Sequence, residues 1–330
     1  PTQPDEAYFQ HVDAIVNLAD SLGLVIGMLP TWGSYWSSND QDQVIFTPDN
    51  AQGFGEFLGA RYQSKPLIWI LGGDNNIHNQ DERAIINAMA RGLRAGDQGE
   101  HLITFHPRGP GKSSDYFHQT QWLDFNMFQS SHGAHDHDNG LFAAHDYALS
   151  PPKPTLDGEP RYERIENGFY FRGYNRLDRF DDYDARQAAY LSVFSGACGH
   201  TYGHNSIWQM YAPGRDPMIG AIVPWYDALD HPGSFQMTHL RTLMESRPWS
   251  RMHPAQDMIL STDARGDFEI KALLDEDRQF AFVYSAKGQS FTIDKSRIEA
   301  KRIKEIWYDP RYGVSYLVHT GDTQAIQTYT

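Results

Sequence analysis

Two carboxylates stand directly after apolar runs of the chain. Asp74 follows two glycines in Gly72-Gly73-Asp74-Asn75-Asn76, at the end of Leu67-Ile68-Trp69-Ile70-Leu71. Glycines in that position let the backbone turn sharply and let a ligand come close. Glu159 ends Thr155-Leu156-Asp157-Gly158-Glu159-Pro160, with Pro160 fixing the exit. Each has an ordinary alternative, because a strand-end Asp commonly caps the next helix and Asp-Gly is a common turn dipeptide. Taken together they point to one chemistry. Hydrolysis of a glycosidic bond needs one carboxyl to protonate the leaving oxygen and a second to attack or to activate water.

Other polar and aromatic groups recur at comparable positions. His106 follows one apolar run, and Gln129-Ser130-Ser131-His132-Gly133-Ala134-His135-Asp136-His137-Asp138 follows the next. His132, His135 and His137 could suggest zinc, which makes a metal-dependent hydrolase an alternative. They share one polar loop without a helical His-x-x-x-His pair, however, so hydrogen bonding of sugar hydroxyls by Gln129 and His132 is the preferred reading. Gly199-His200-Thr201-Tyr202-Gly203-His204-Asn205-Ser206-Ile207-Trp208 alternates small residues with polar and aromatic ones, as a sugar cleft requires. The expected substrate contacts are Trp32, Asn75, His106, Gln129, His132, Asp157, Tyr202, His204 and Trp208. Trp32 and Trp36 are expected to form an aromatic wall. No phosphate-binding, dinucleotide or Gly-x-Ser-x-Gly motif is present, and neither cofactor nor metal is expected.

The elements that must position these groups follow from periodicity. Residues 5–22 carry Phe9, Val12, Ile15, Val16, Ala19 and Leu22 on one helical face, with Gly23 as the stop. Thr47-Pro48 opens a second helix, and further helices are expected over 83–95, 182–195 and 234–246. Buried strands are expected over 24–29, 67–71, 102–105, 125–129, 154–157 and 200–202. Alternating strands and helices imply a parallel sheet, and polar clusters after nearly every strand favour a (β/α)8 TIM barrel over an open sheet. Six strands leave two short of eight, so the first two β/α units are expected to be absent from this numbering. If the visible strands are the third to eighth, Asp74 ends the fourth and Glu159 the seventh, facing each other across the mouth. Residues 1–247 then form the catalytic domain. Residues 248–330 form a small antiparallel β-sandwich, with short strands over 258–260, 268–273, 279–284, 290–293, 302–308 and 315–318 and turns at 264–267 and 309–313.

Composition narrows the partners. The chain has 330 residues, 40% hydrophobic and 21% charged, and a formal net charge of −14. That charge argues against nucleic acid, and no run approaches the roughly 20 apolar residues of a membrane span. Aromatic residues at 13% suit sugar faces as well as a core. Cys198, the single cysteine, excludes an intrachain disulfide and reads as buried packing. Oligomeric state is not legible, and no signal peptide is visible.

The ordered set Leu29-Pro30-Thr31-Trp32-Gly33, Trp69-Ile70-Leu71-Gly72-Gly73-Asp74, Phe128-Gln129-Ser130-Ser131-His132-Gly133 and Asp157-Gly158-Glu159-Pro160 resembles the apiosidase-like glycoside hydrolases. Trp307-Tyr308-Asp309-Pro310-Arg311-Tyr312-Gly313 is similar to the β-sandwich, of a collagen-binding type, that often follows their barrels. The resemblance implies a bacterial retaining enzyme acting on plant-type polysaccharide, releasing an apiose-linked side chain from the pectin rhamnogalacturonan II. It implies Asp74 as acid/base, Glu159 as nucleophile, and a periplasmic or secreted location. A non-catalytic carbohydrate-binding protein on a decayed barrel is the alternative. Ser131 stands where the family often has Gly.

Overall fold

The computed structural model describes residues 1–38, 44–133, 138–261 and 268–330. The chain divides into two compact units, Pro1–Gln129 with Leu149–Thr155, and Ser130–Ala148 with Leu156–Thr330. Among the described residues no helix is long and apolar enough to cross a membrane.

The first unit opens with α1 (Glu6–Ser21), capped by Asp5, whose carboxylate accepts from the Ala7 and Tyr8 amides. Of its expected apolar face only Phe9 and Val16 are buried, while Ile15 and Leu22 are exposed. β1 (Ile26–Met28) runs parallel to the next strand. α2 (Pro48–Tyr62) begins where Thr47-Pro48 predicts, with a reciprocal capping box between Thr47 and Asn50. β2 (Leu67–Leu71) pairs with β1 and with β3 (Ile103–Phe105), parallel in both cases, and α3 (Gln80–Gly96) lies between them in sequence. The strand expected over 24–29 is shorter and not buried. β1 has a described partner on one side only, so Leu24, Val25 and Leu29 stay exposed.

α2 and α3 approach backbone to backbone, which the sequence pattern had not indicated. A Cβ at Gly55 would stand 2.5 Å from the Met89 carbonyl oxygen, and Gly59, Gly92 and Gly96 line the same approach. The core between helices and sheet holds Leu58, Tyr62, Trp69, Leu71, Ile86, Met89, Leu93 and Phe105. Trp69 donates its indole N–H to the buried Asp97 carboxylate at 3.0 Å. The unit closes with β4 (Gly111–Lys112), the single turn α4 (Ser114–Phe117) and β5 (Asn126–Gln129), which is antiparallel to β4.

The second unit contains α5 (Asn139–Tyr147), the end of β6 (Thr155–Asp157), α6 (Asp182–Phe194) and β7 (Gly199–His200), with β6 and β7 parallel. α7 (Asn205–Trp208), α8 (Trp225–Ala228) and α9 (Pro232–Glu245) follow. Cys198 is exposed, contrary to the packing role expected of it. It lies in the link between α6 and β7, and connections run over the surface because a buried loop cannot pair its backbone.

The C-terminal part is antiparallel throughout. β8 (Met252–Pro254), β9 (Ile270–Asp275) and β10 (Ala281–Ser285) form one sheet in the order β10-β9-β8. β11 (Phe291–Asp294) pairs with the last strand of the chain. β12 (Arg302–Asp309) pairs with β13 (Val314–Asp322), and β14 (Ile326–Tyr329) is the partner of β11. Of the residues expected as a strand over 258–260, Met258 ends a 3-10 turn, Gln256–Met258, while Ile259 bridges to Ile293 and the Leu260 amide donates to the Thr292 carbonyl at 2.9 Å. The turn expected at 264–267 lies outside the described residues. Tyr284 of β10 stacks on Tyr190 of α6 at 4.5 Å, and the Tyr308 hydroxyl donates to the His239 carbonyl of α9.

Candidate active site

In the first unit, the chain leaves β2 through three consecutive residues of positive φ, Gly72 (96°), Gly73 (79°) and Asp74 (60°). The left-handed region costs an L-residue about 1–2 kcal/mol, so Asp74 holds its conformation only because its surroundings impose it. Those surroundings are specific. Trp36 donates its indole N–H to the Gly72 carbonyl at 2.6 Å, and the Gly33 amide donates to the Gly73 carbonyl at 2.9 Å. A Cβ on Gly72 would collide with the His106 carbonyl oxygen, so the glycine is what lets the end of β3 come alongside. The His106 amide donates to the Leu71 carbonyl at 2.7 Å. As a result the Asp74 carboxylate and the His106 ring present atoms within 4.8 Å of each other, both partly exposed.

Asn75 is almost wholly buried, with its side chain against Gly33. Gln129 is likewise buried at the end of β5, and its Oε1 accepts from no group among the described residues. Trp36, expected in an aromatic wall, is 1% exposed and serves as a clamp on the backbone, whereas Trp32 is 51% exposed.

In the second unit, Glu159 follows β6 with its side chain 17% exposed. Its carbonyl accepts from the Ser131 amide at 3.2 Å. His132 Nδ1 lies 3.8 Å from Glu159 Oε1 and 3.3 Å from the Pro160 carbonyl. A carbonyl only accepts, so Nδ1 is the nitrogen that carries hydrogen. The imidazole packs against Tyr162, with centroids 4.7 Å apart, and against Phe169, stacked at 5.6 Å with the ring planes 20° apart. A carboxylate with a fixed imidazole donor beside it can attack an electrophilic carbon or accept a proton.

Two expected substrate contacts are placed differently. Asp157 has no exposed surface to offer a ligand. Its carboxylate accepts from Ser130 at 3.1 Å, Asn139 at 3.0 Å and Ser192 at 2.8 Å. Burial pushes it up to about 6, and these three donors restrain the rise. His204 is 1% exposed and caps α7, its Nδ1 accepting from the Ser206 amide at 3.0 Å while Nε2 meets His231 at 2.9 Å. Burial, with His231 and Arg164 nearby, holds it down to about 4. Both were drawn toward the ligand in sequence because polar residues after a strand read alike whether they face in or out.

Tyr202 donates its hydroxyl to Glu163 at 2.7 Å, and Trp208 is 43% exposed with its indole N–H on Asn205. Glu163, which the sequence reading passed over, also accepts from the Gly233 amide at 3.1 Å and lies 3.9 Å from His231. Burial raises its pKa. Its spacing four residues after Glu159 was the only signal available. Of the histidine loop, His132 is placed as above, while His135 and His137 lie outside the described residues.

The strand ends therefore present Asp74 with His106 in one unit, and Glu159 with His132 in the other. Residues 253–330 match the family described as "Putative collagen-binding domain of a collagenase". No curated relative matches the chain. Among solved structures, one titled a glycoside hydrolase is similar at 36% identity and a TM-score of 0.89, covering 98% of this chain and 73% of its own. A glycoside hydrolase family 5 protein from Bacteroides vulgatus is similar at 34% identity and a TM-score of 0.88, covering 98% of this chain and 71% of its own. Residues 1–251 match the family described as "Apiosidase-like, catalytic domain", and with these neighbours the chain belongs to the apiosidase-like family and is a glycoside hydrolase.

Proposed function

We propose that the chain is a retaining glycosidase of plant-type polysaccharide that releases pectic side chains, with Asp74 as acid/base and Glu159 as nucleophile. The observation that carries this reading is a repeated placement. Each carboxylate leaves the C-terminal end of a parallel strand, is partly exposed, and has an imidazole beside it. Catalytic groups gather at that end of TIM-barrel strands. The barrel reading of 1–247 and the sandwich reading of 248–330 go with the proposal, supported by the likeness to glycoside hydrolase structures. A polymer substrate also fits a periplasmic or secreted location.

In the first step Glu159 attacks the anomeric carbon, the bond to the leaving oxygen breaks, and the Asp74 proton passes to that oxygen. In the second, Asp74 takes a proton from water, whose oxygen displaces Glu159 from the sugar. The test is proton NMR of the first-formed anomer from rhamnogalacturonan II fragments, with wild type and Glu159→Gln side by side. Retention is expected, with turnover in the variant lower by at least about 10³-fold. Inversion, or near wild-type turnover by Glu159→Gln, overturns the assignment. Fragments that raise the melting temperature without releasing reducing sugar would mark a binding protein instead.

A further inference from the structure

We propose that Asp157 is a positioning residue, which through Ser130 anchors the segment 130–132 that holds Glu159 in place. The inference takes Glu159 as a reacting carboxylate from the reading above. The geometry is a closed ring within the second unit. The Ser130 hydroxyl lies 3.1 Å from both carboxylate oxygens of Asp157. The next residue, Ser131, donates its amide to the Glu159 carbonyl, and His132 after it stands beside the Glu159 carboxylate and the Pro160 carbonyl. Asp157 itself ends β6, two residues before Glu159. The segment is thus tied twice, once to Asp157 and once to Glu159.

The anchor is built from several elements. Asn139, at the start of α5, donates to Asp157 Oδ2 and also to the Ser130 hydroxyl at 2.6 Å. Ser192 on α6 donates to the same Oδ2 at 2.8 Å, and the Thr201 amide beyond β7 donates to the Asp157 carbonyl at 2.9 Å. The charged or titratable neighbour on β7 is His200, whose Nδ1 is 3.6 Å from Oδ2. Burial, then Arg161, hold that imidazole down to about 3, so it stays neutral and adds no competing ion pair. A fully enclosed carboxylate with three side-chain donors is a fixed point, and buried polar networks of this kind specify one arrangement.

The test compares two substitutions that each remove one hydroxyl from the same carboxylate. Ser130→Ala removes the hydroxyl part of the tie to the segment and keeps the Ser130 backbone bond to the carboxylate, whereas Ser192→Ala cuts a tie to α6 that does not reach the segment. Melting temperatures should fall by similar amounts. On rhamnogalacturonan II fragments, kcat should fall about 10- to 100-fold in Ser130→Ala with KM little changed, and stay within about twofold in Ser192→Ala. Ser130→Thr, which keeps the hydroxyl, should restore most of the loss. Hydrogen–deuterium exchange supplies a readout that needs no substrate. Exchange of the peptide containing the Ser131 amide should quicken in Ser130→Ala and not in Ser192→Ala. Where alanine does not fold, Ser130→Cys keeps the volume, weakens the bonds and is judged by the same criteria. Unchanged Ser131 exchange in Ser130→Ala, or equal effects of the two substitutions, overturns the proposal. Inactive wild type with the expected exchange pattern would instead sink the substrate reading alone.

Discussion

Trp36 holds the carbonyl oxygen of Gly72 at 2.6 Å from an indole ring that is itself enclosed. The bond closes the turn that delivers Asp74, since the next carbonyl, of Gly73, is held by the Gly33 amide. Trp36→Phe keeps most of the apolar volume and removes the donor, leaving a buried carbonyl unpaired. Stability should fall by about 1–3 kcal/mol, read by urea denaturation. Activity should fall further than stability explains, because the Asp74 turn loses its clamp.

Gly72→Ala tests the same turn from the other side. The position has φ 96°, and a Cβ there would strike the His106 carbonyl. Conformational strain and collision together should cost about 2–4 kcal/mol. A variant melting within a degree of wild type would show that the turn can relax.

Ser131 lies at φ 76°, in the left-handed region that favours glycine. Ser131→Gly relieves that strain but loses the hydroxyl's bond from the Gly133 amide, at 3.3 Å, and loosens the unfolded chain. The net expectation is a gain of up to about 1 kcal/mol, checked by thermal melting.

The pH dependence of stability is set by buried groups of opposite sign. His200 and His204, held down to about 3 and about 4, stay neutral when folded but protonate near 6.5 when unfolded. Their contribution is present above pH 6.5 and is lost as pH falls toward their folded values. Asp157, pushed up to about 6, contributes stability below pH 3.8 that is lost as pH rises through 6. The two histidine shifts are the larger in sum, so the melting temperature should drop between pH 7 and pH 4.5. His204→Asn keeps an N-cap for α7 and removes one titration, so it should flatten the drop. An unchanged slope would place the acid lability elsewhere.

Trp32 and Trp208 are the exposed aromatics among the expected sugar contacts, at 51% and 43%. Replacing either by Ala should leave stability within about 0.5 kcal/mol and raise KM with kcat little changed, measured by initial rates on the same fragments. A fall in kcat alone would argue against a binding role.

Much of this protein was legible before folding was considered. β2 occupies the predicted residues, because an apolar run between a charged helix end and two glycines has one good use. α2 begins where Thr47-Pro48 places it, since capping is a local hydrogen-bond requirement. The ordered motifs around Trp32, Asp74, His132 and Glu159 carried the family. Sequence could not say which polar residue beyond a strand faces outward. Asp157 and Glu159 differ by two positions, yet one is sealed by Ser130, Asn139 and Ser192 and the other is partly exposed. Trp36 and Trp32 divide in the same way, into a buried clamp and an exposed ring.

The residue types and their order by themselves determined the chemistry available, two strand-end carboxylates among histidines and aromatics, because strands, caps and turns answer to near neighbours in the chain. Tertiary structure alone decided which groups stay open to a ligand and which are sealed as scaffold. Burial and hydrogen-bond partners come from segments far apart in sequence, such as Ser192 reaching Asp157 and Trp36 reaching Gly72, and no local pattern records them.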